Sequence, residues 1–391
     1  MFCQNAAVRY LDYNATAPVC EAAREAWLGA LDRWPGNPSS PHRLGSRADR
    51  ALEDAREELA SRLGCSGAEI VWTSGATESN NAAVQHLAAT APVDGEIWLS
   101  AIEHPCVRAA AVRWFPGRTR AIPVTRQGIV ELDWLEERLR SASVRPVGVA
   151  VMAANNETGV IQPWEKVAAW CREAGIPFLC DAAQWFGKLP SAGLAGCTLV
   201  SGCAHKFGGA PGVGFLKVGA GFRPLIVGGP QEEGRRAGTE NVPGVVACVA
   251  ALKSREAWLA AHPSPDRSAA RDAFEQRLPS EVAGVEVAGM GAARLWNTSA
   301  VLLPVTDCRR RWVVRLDRAG FAVSTGSACS SGREKPSHVL AAMGLDGSGE
   351  RMIRVSGGWE TPVETWKELA ETLRTVASEG AGVGSEPDRA G

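Results

Sequence analysis

Hydrophobic positions recur every three to four residues over 22–34, 47–63, 79–88, 132–139, 164–174 and 242–261. That spacing lays an apolar stripe along one face of an α-helix. Between these segments lie short apolar, β-branched runs at 70–73, 97–100, 147–152, 177–180, 198–201 and 214–217. They lack the strict alternation of a half-exposed strand, so they read as strands buried on both faces. Buried strands alternating with amphipathic helices predict a mostly parallel sheet covered by helices, an α/β fold.

The pattern breaks at 261–267, Ala-His-Pro-Ser-Pro-Asp-Arg, which reads as a linker. It divides a large domain over 1–260 from a small domain over 268–377. The small domain reads as helix from 271, strands at 285–287 and 297–303, helix 311–319, strand 321–324, a further helix, strand 352–355 and helix 363–377. That order suggests an α+β unit. Residues 378–391, rich in Gly, Ser, Glu and Asp, have little to bury and are expected to form a disordered tail.

Charge narrows the function classes. The 42 basic and 43 acidic residues give a formal net charge of -1, with no run of like charges to serve as a nucleic-acid or membrane arm. Apolar runs such as 147–154 are far shorter than a bilayer span, and no charged-then-apolar leader opens the chain, so a soluble, cytoplasmic protein is expected. The 11 cysteines include no C-x-x-C pair, which argues against a zinc site, and their odd number fits a reducing compartment. No metal is expected.

Four segments carry chemistry. Thr73-Ser74-Gly75-Ala76-Thr77-Glu78-Ser79-Asn80 joins a strand to a helix, where free N–H groups can hold a phosphate, although a plain helix cap reads the same way. Cys180-Asp181-Ala182-Ala183-Gln184 follows a buried strand, where open α/β sheets carry ligand groups; Asp181 there needs a cation or hydrogen bonds, or is a helix cap. Ser201-Gly202-Cys203-Ala204-His205-Lys206-Phe207-Gly208-Gly209 holds one of only seven lysines. A lysine amine can form a Schiff base with an aldehyde cofactor, which guanidinium cannot, though a solvated surface lysine is the alternative. Gly326-Ser327-Ala328-Cys329-Ser330-Ser331-Gly332 sets a cysteine in a small-residue loop, the setting of a reactive thiolate and not of a core filler. His104, in Glu103-His104-Pro105, lies just past the strand at 97–100 and so near the same sheet edge.

Together these segments resemble the NifS-like cysteine desulfurases of the class V aminotransferase group, which use pyridoxal 5'-phosphate. The resemblance runs from Tyr10-Leu11-Asp12-Tyr13-Asn14-Ala15-Thr16 to about Val376. It includes Gly36-Asn37-Pro38-Ser39-Ser40, Asn155-Asn156-Glu157-Thr158-Gly159 and Arg235-Arg236-Ala237-Gly238-Thr239-Glu240-Asn241. It implies the PLP-dependent transferase fold type I, with a large domain built on a seven-stranded, mostly parallel sheet, the N-terminal segment of about 20 residues packing on the small domain, and a homodimer.

The resemblance also implies roles. Lys206 corresponds to the Schiff-base lysine and later the base for the substrate Cα proton. Asp181 pairs with the pyridinium nitrogen, His104 stacks on the ring and Gln184 lies near its phenolic oxygen. Ala76, Thr77, Cys203, His205 and Thr239 match phosphate-cup positions, Thr239 reaching in from the second subunit. Asn37, Asn156 and Arg354 match the substrate side, where Arg354 suits an amino-acid carboxylate; Asn156 also borders the cofactor. L-cysteine would give alanine, its sulfur passing as a persulfide on Cys329 to acceptors serving iron-sulfur cluster or thio-cofactor synthesis. A selenocysteine lyase or other β-eliminating lyase of the group is the alternative, and a non-catalytic scaffold for sulfur-transfer partners the alternative of another class.

Two positions depart from the family. Cys203 stands where a serine usually binds the phosphate, and a thiol is the weaker donor, so looser cofactor retention is expected. Gly357-Gly358-Trp359 replaces a usual Leu-Gly-Arg ending, which leaves the local substrate or partner surface open.

Overall fold

A computed structural model describes residues 8–141, 145–264, 266–304, 309–326, 337–345, 347–348 and 351–381. The strands are β1 (Arg9–Tyr10), β2 (Ile70–Thr73), β3 (Ile97–Ser100), β4 (Thr119–Ile122), β5 (Gly148–Ala150), β6 (Phe178–Asp181), β7 (Leu199–Cys203), β8 (Gly214–Lys217), β9 (Glu286–Ala288), β10 (Thr298–Leu302), β11 (Phe321–Ala322) and β12 (Met352–Ser356). The α-helices are α1 (Glu21–Arg33), α2 (Arg43–Leu63), α3 (Ala76–Thr90), α4 (Pro105–Trp114), α5 (Leu132–Ser141), α6 (Trp164–Ala174), α7 (Val242–Ala261), α8 (Ala269–Glu281), α9 (Arg309–Arg318), α10 (His338–Ala342) and α11 (Val363–Ala381).

Seven strands form one sheet in the order β2-β8-β7-β6-β5-β3-β4. Only β8 runs against the others, pairing antiparallel with β2 and β7. Strands β2, β3, β5, β6, β7 and β8 are buried throughout, which is why they lack alternation. A three-stranded antiparallel sheet, β12-β10-β9, forms a second centre. Its core joins Phe274, Leu278, Val301, Ile353, Trp366 and Leu373, separate from the two clusters on the faces of the large sheet.

The chain starts far from where it is first used. Residues 9–12 pair with the C-terminal region: Arg9 opposes Phe321, Tyr10 opposes Ala322 and Asp12 bridges Ser356. Leu11 is buried in the same cluster as Trp366, whereas Tyr13 joins the core of the large sheet.

Three elements went unread in the sequence, the first being β1, only two residues long. Strand β4 is an edge strand whose first three residues are exposed, so it carries no buried run. Helix α4 is Ala-rich, starts at Pro105 and buries only Val107, Ala110 and Ala111, too few for a clear stripe. At the other end, α11 continues to Ala381, beyond residue 377; residues 382–391 lie outside the described residues. Among the described residues no helix is long and apolar enough to cross a membrane.

Candidate active site

A cavity of about 930 Å³ opens at the C-terminal ends of the parallel strands, where doubly wound sheets hold ligands. The turns after β2, β3, β6 and β7 bring α3, His104, Asp181 and Lys206 to its wall. From the opposite side β12 contributes Arg354, and the N-terminal segment contributes Asn14 and Ala15.

The turn into α3 depends on Gly75, whose φ of 156° and ψ of 173° are closed to residues with a Cβ. It is pressed against β8: a Cβ on Gly214 would lie 2.4 Å from the Gly75 Cα. The helix therefore begins at the cavity, with Ala76 and Thr77 in the wall. Their early N–H groups have no partner within the helix, and the helix dipole adds positive potential. Cys203, at the end of β7, accepts a hydrogen bond from the Ala76 backbone, and burial pushes its thiol up to about 11. Cys203 is thus a neutral thiol at the α3 end of the cavity.

Asp181 ends β6 with 5% of its surface exposed. Asn80 Nδ2 donates to its Oδ2 at 2.8 Å and the Ala183 N–H to its Oδ1 at 3.0 Å. Glu103 lies close by, accepting from the Met152 N–H at 2.7 Å; burial, and then the Asp181 charge, push its carboxyl up to about 8. His104 caps α4 by accepting from the Cys106 N–H at 3.2 Å. Burial lowers the His104 pKa, Asp181 opposes that shift and Lys206 adds to it.

The Lys206 amine donates to the carbonyls of Asn14 at 2.7 Å and Ala15 at 2.8 Å. Its neighbour His205 is pushed down to about 4 by burial and by the charges of Lys206 and Lys188. Gln184 Nε2 donates to the same Asn14 carbonyl at 3.0 Å. Arg354 is held by Asp12 at 2.7 Å and by the Asn156 carbonyl at 3.0 Å. Its Nε is buried with no hydrogen-bond partner among the described residues.

Ala76, Thr77, His104, Asn156, Asp181, Gln184, Cys203, His205, Lys206 and Arg354 thus all line one cavity. Asn37 and Thr239 do not: both are exposed, and Asn37 Oδ1 accepts from the Ser39 N–H. Cys329 lies outside the described residues, but Gly326 before it and Ser337 after it both belong to the cavity wall. Trp359 is no surface feature. It is 7% exposed, donates to the Gly187 carbonyl at 3.0 Å and lies under the Arg255 guanidinium at 4.1 Å, so the Gly357-Gly358-Trp359 departure fills the interior.

Sequence reasoning missed Asn14, Glu103, Cys106 and Lys188. Asn14 and Glu103 stood inside quoted motifs, and Lys188 was one of seven lysines with nothing local to mark it as buried. Cys106 carried no signal that set it apart from ten other cysteines.

The protein-family model for aminotransferase class-V matches residues 9–365. "Cysteine desulfurase 2" of Trichormus variabilis is 36% identical over 343 residues, covering 86% of this chain and 85% of that protein. Among solved structures, a NifS-like protein superposes with a TM-score of 0.86 at 31% identity, covering 95% of this chain and 100% of that one. SspA in complex with cysteine superposes with a TM-score of 0.76 at 30% identity, covering 89% and 98%.

Proposed function

The chain belongs to the class-V aminotransferase family and is a cysteine desulfurase, and we propose that it works with pyridoxal 5'-phosphate held in the cavity and a persulfide on Cys329. The observation that carries this reading is the convergence of Lys206, Asp181, His104 and the start of α3 on one cavity.

The wall fits the cofactor group by group. The turn at Gly75 would present to an anion the N–H groups that have no partner within α3, with Thr77 and His205 beside it. Asp181, buried and already holding two donors, suits a protonated ring nitrogen. Lys206 offers the amine for an aldehyde, and His104 a flat neighbour for the ring. When bound, the cofactor supplies an electron sink for a carbanion at the substrate Cα.

The protein's own groups then divide the work. Arg354, set in the cavity wall by Asp12 and the Asn156 carbonyl, would hold the substrate carboxylate. Lys206, once free of the cofactor, would move the Cα proton. The Cys329 thiolate would attack the substrate sulfur, taking it as a persulfide and leaving alanine, and would then hand it to an acceptor. The cavity margin on both sides of the Cys329 segment supports this assignment.

The functional unit in this reading is a homodimer. Thr239 is exposed, and Arg236, three residues before it, is paired with Glu78 of α3 at 2.9 Å, so the stretch is fixed to the site yet turned away from its own cavity. Leu28, Leu31, Leu44 and Val227 are exposed apolar side chains for a second copy to cover.

Exposure of the purified protein to L-cysteine should add one sulfur to the peptide containing Cys329, read by mass spectrometry, and release alanine. Cys329→Ala should keep the absorbance of bound cofactor and lose both products. Alanine formation by Cys329→Ala at near the wild-type rate would refute the persulfide route in favour of the lyase alternative.

A further inference from the structure

The side chain of Lys188 is 0% exposed and lies directly behind the cavity wall. An amine so placed needs hydrogen-bond partners. It donates to Asn14 Oδ1 at 3.0 Å and to Gln184 Oε1. Both partners line the cavity, and Lys188 itself is not part of the wall. Burial, with the charges of Lys206 and Arg354, holds its pKa well below that of an ordinary lysine. Neutral or charged, the amine has the two hydrogens that these contacts use.

Gln184 is gripped at both ends of its amide. Oε1 faces the Lys188 amine, and Nε2 donates to the Asn14 carbonyl, which also receives Lys206 Nζ at 2.7 Å. Turning the amide over would press an NH₂ against an amine donor and a carbonyl oxygen against a carbonyl oxygen. Both hydrogen bonds would be lost inside the protein, where unmatched polar groups are costly. The second Nε2 hydrogen is the group left for the cavity.

We propose that Lys188 is a positioning residue that acts through Gln184, fixing its amide so that the cavity is offered an N–H donor and not a carbonyl. A donor suits an anionic oxygen, the phenolate oxygen of the bound cofactor, so the proposal rests on the cofactor reading above. By holding Asn14 through its side chain, the same amine steadies the backbone carbonyl on which Lys206 rests.

A double-mutant cycle tests this. Wild type, Lys188→Met, Gln184→Leu and the double variant are freed of cofactor, and their affinity for pyridoxal 5'-phosphate is measured by equilibrium dialysis. Met keeps the length of the side chain and removes the donor. Each single variant should bind about tenfold more weakly, the effect of one lost hydrogen bond to a charged group. The double variant should be no weaker than Gln184→Leu. Both single variants should also shift the pH titration of the bound chromophore in the same direction, which a loss of packing alone would not do. Losses that multiply in the double variant overturn the proposal, as does a Lys188→Met protein that binds like wild type while Gln184→Leu is weakened. A Gln184→Leu protein that binds like wild type removes the cofactor contact itself, and the proposal with it. If Lys188→Met does not fold, Lys188→Gln replaces it, with an affinity expected between those of wild type and Gln184→Leu.

Discussion

Glu103→Gln should change how stability depends on pH, and the structure gives the sign. The Glu103 carboxyl is 1% exposed and titrates at about 8 in the folded protein, against 4.5 for an unperturbed glutamate. Below pH 4.5 the group is protonated in both states and has no effect. Between 4.5 and 8 the unfolded chain releases this proton and the folded chain keeps it, so stability falls as pH rises. At pH 7 the loss comes to about 3 kcal/mol, and it is complete above pH 8. Glutamine cannot ionise and keeps an oxygen for the Met152 N–H, so it imitates the protonated form. The two proteins should be about equally stable at pH 5, with the variant ahead by about 3 kcal/mol at pH 7. Urea denaturation followed by tryptophan fluorescence at pH 5, 6, 7 and 8 measures the difference, and subtracting the curves cancels the histidines. Parallel curves across that range would mean that Glu103 is not held protonated by its surroundings.

Three further perturbations address the site and its frame. Lys206→Ala should lose borohydride-reducible attachment of the cofactor and all alanine formation, since the described residues of the wall offer no second amine; retained attachment would reassign the lysine. Cys203→Ser should bind pyridoxal 5'-phosphate about tenfold more tightly in dialysis, because a hydroxyl beside the Ala76 N–H is a better phosphate donor than a thiol; unchanged affinity would separate Cys203 from the phosphate. Gly358→Ala should lower stability in urea by about 1–3 kcal/mol, because the new Cβ would lie 1.8 Å from the Tyr13 ring; an unaffected midpoint would show that the ring can withdraw.

Legibility in the sequence followed burial. Strands such as β2, β3 and β8 could be read to the residue because every position in them is enclosed and all but the last are apolar, and α7 because it is long. The edge strand β4 and the Ala-rich α4 left no comparable trace, since most of their surface faces outward or is nearly featureless. In the site, Asp181 and Lys206 could be singled out because one ends a buried strand and the other lies just after one, where a charged group needs a reason. Asn14 could not, because its role comes from contacts with Gln184, Lys188, Lys206 and Thr298, brought to it from distant parts of the chain. Lys188 was equally hidden: nothing local separates a wholly buried lysine from a solvated one.

The pairing of residues 9–14 with the C-terminal region also sets the schedule of biosynthesis. The Asn14 N–H is bonded to Ser356 Oγ across 342 positions, and Asp12 meets Arg354 across the same distance. On a ribosome adding roughly 5–20 residues per second, residues 12–14 wait on the order of tens of seconds for these partners. Through that interval Leu11 has no core to enter, and the carbonyls that receive Lys206 have no anchor on their far side. The large sheet can form meanwhile, but its binding pocket stays unfinished until residues 354–356 have been made, so a product truncated before them would carry the lysine without the wall that orients it.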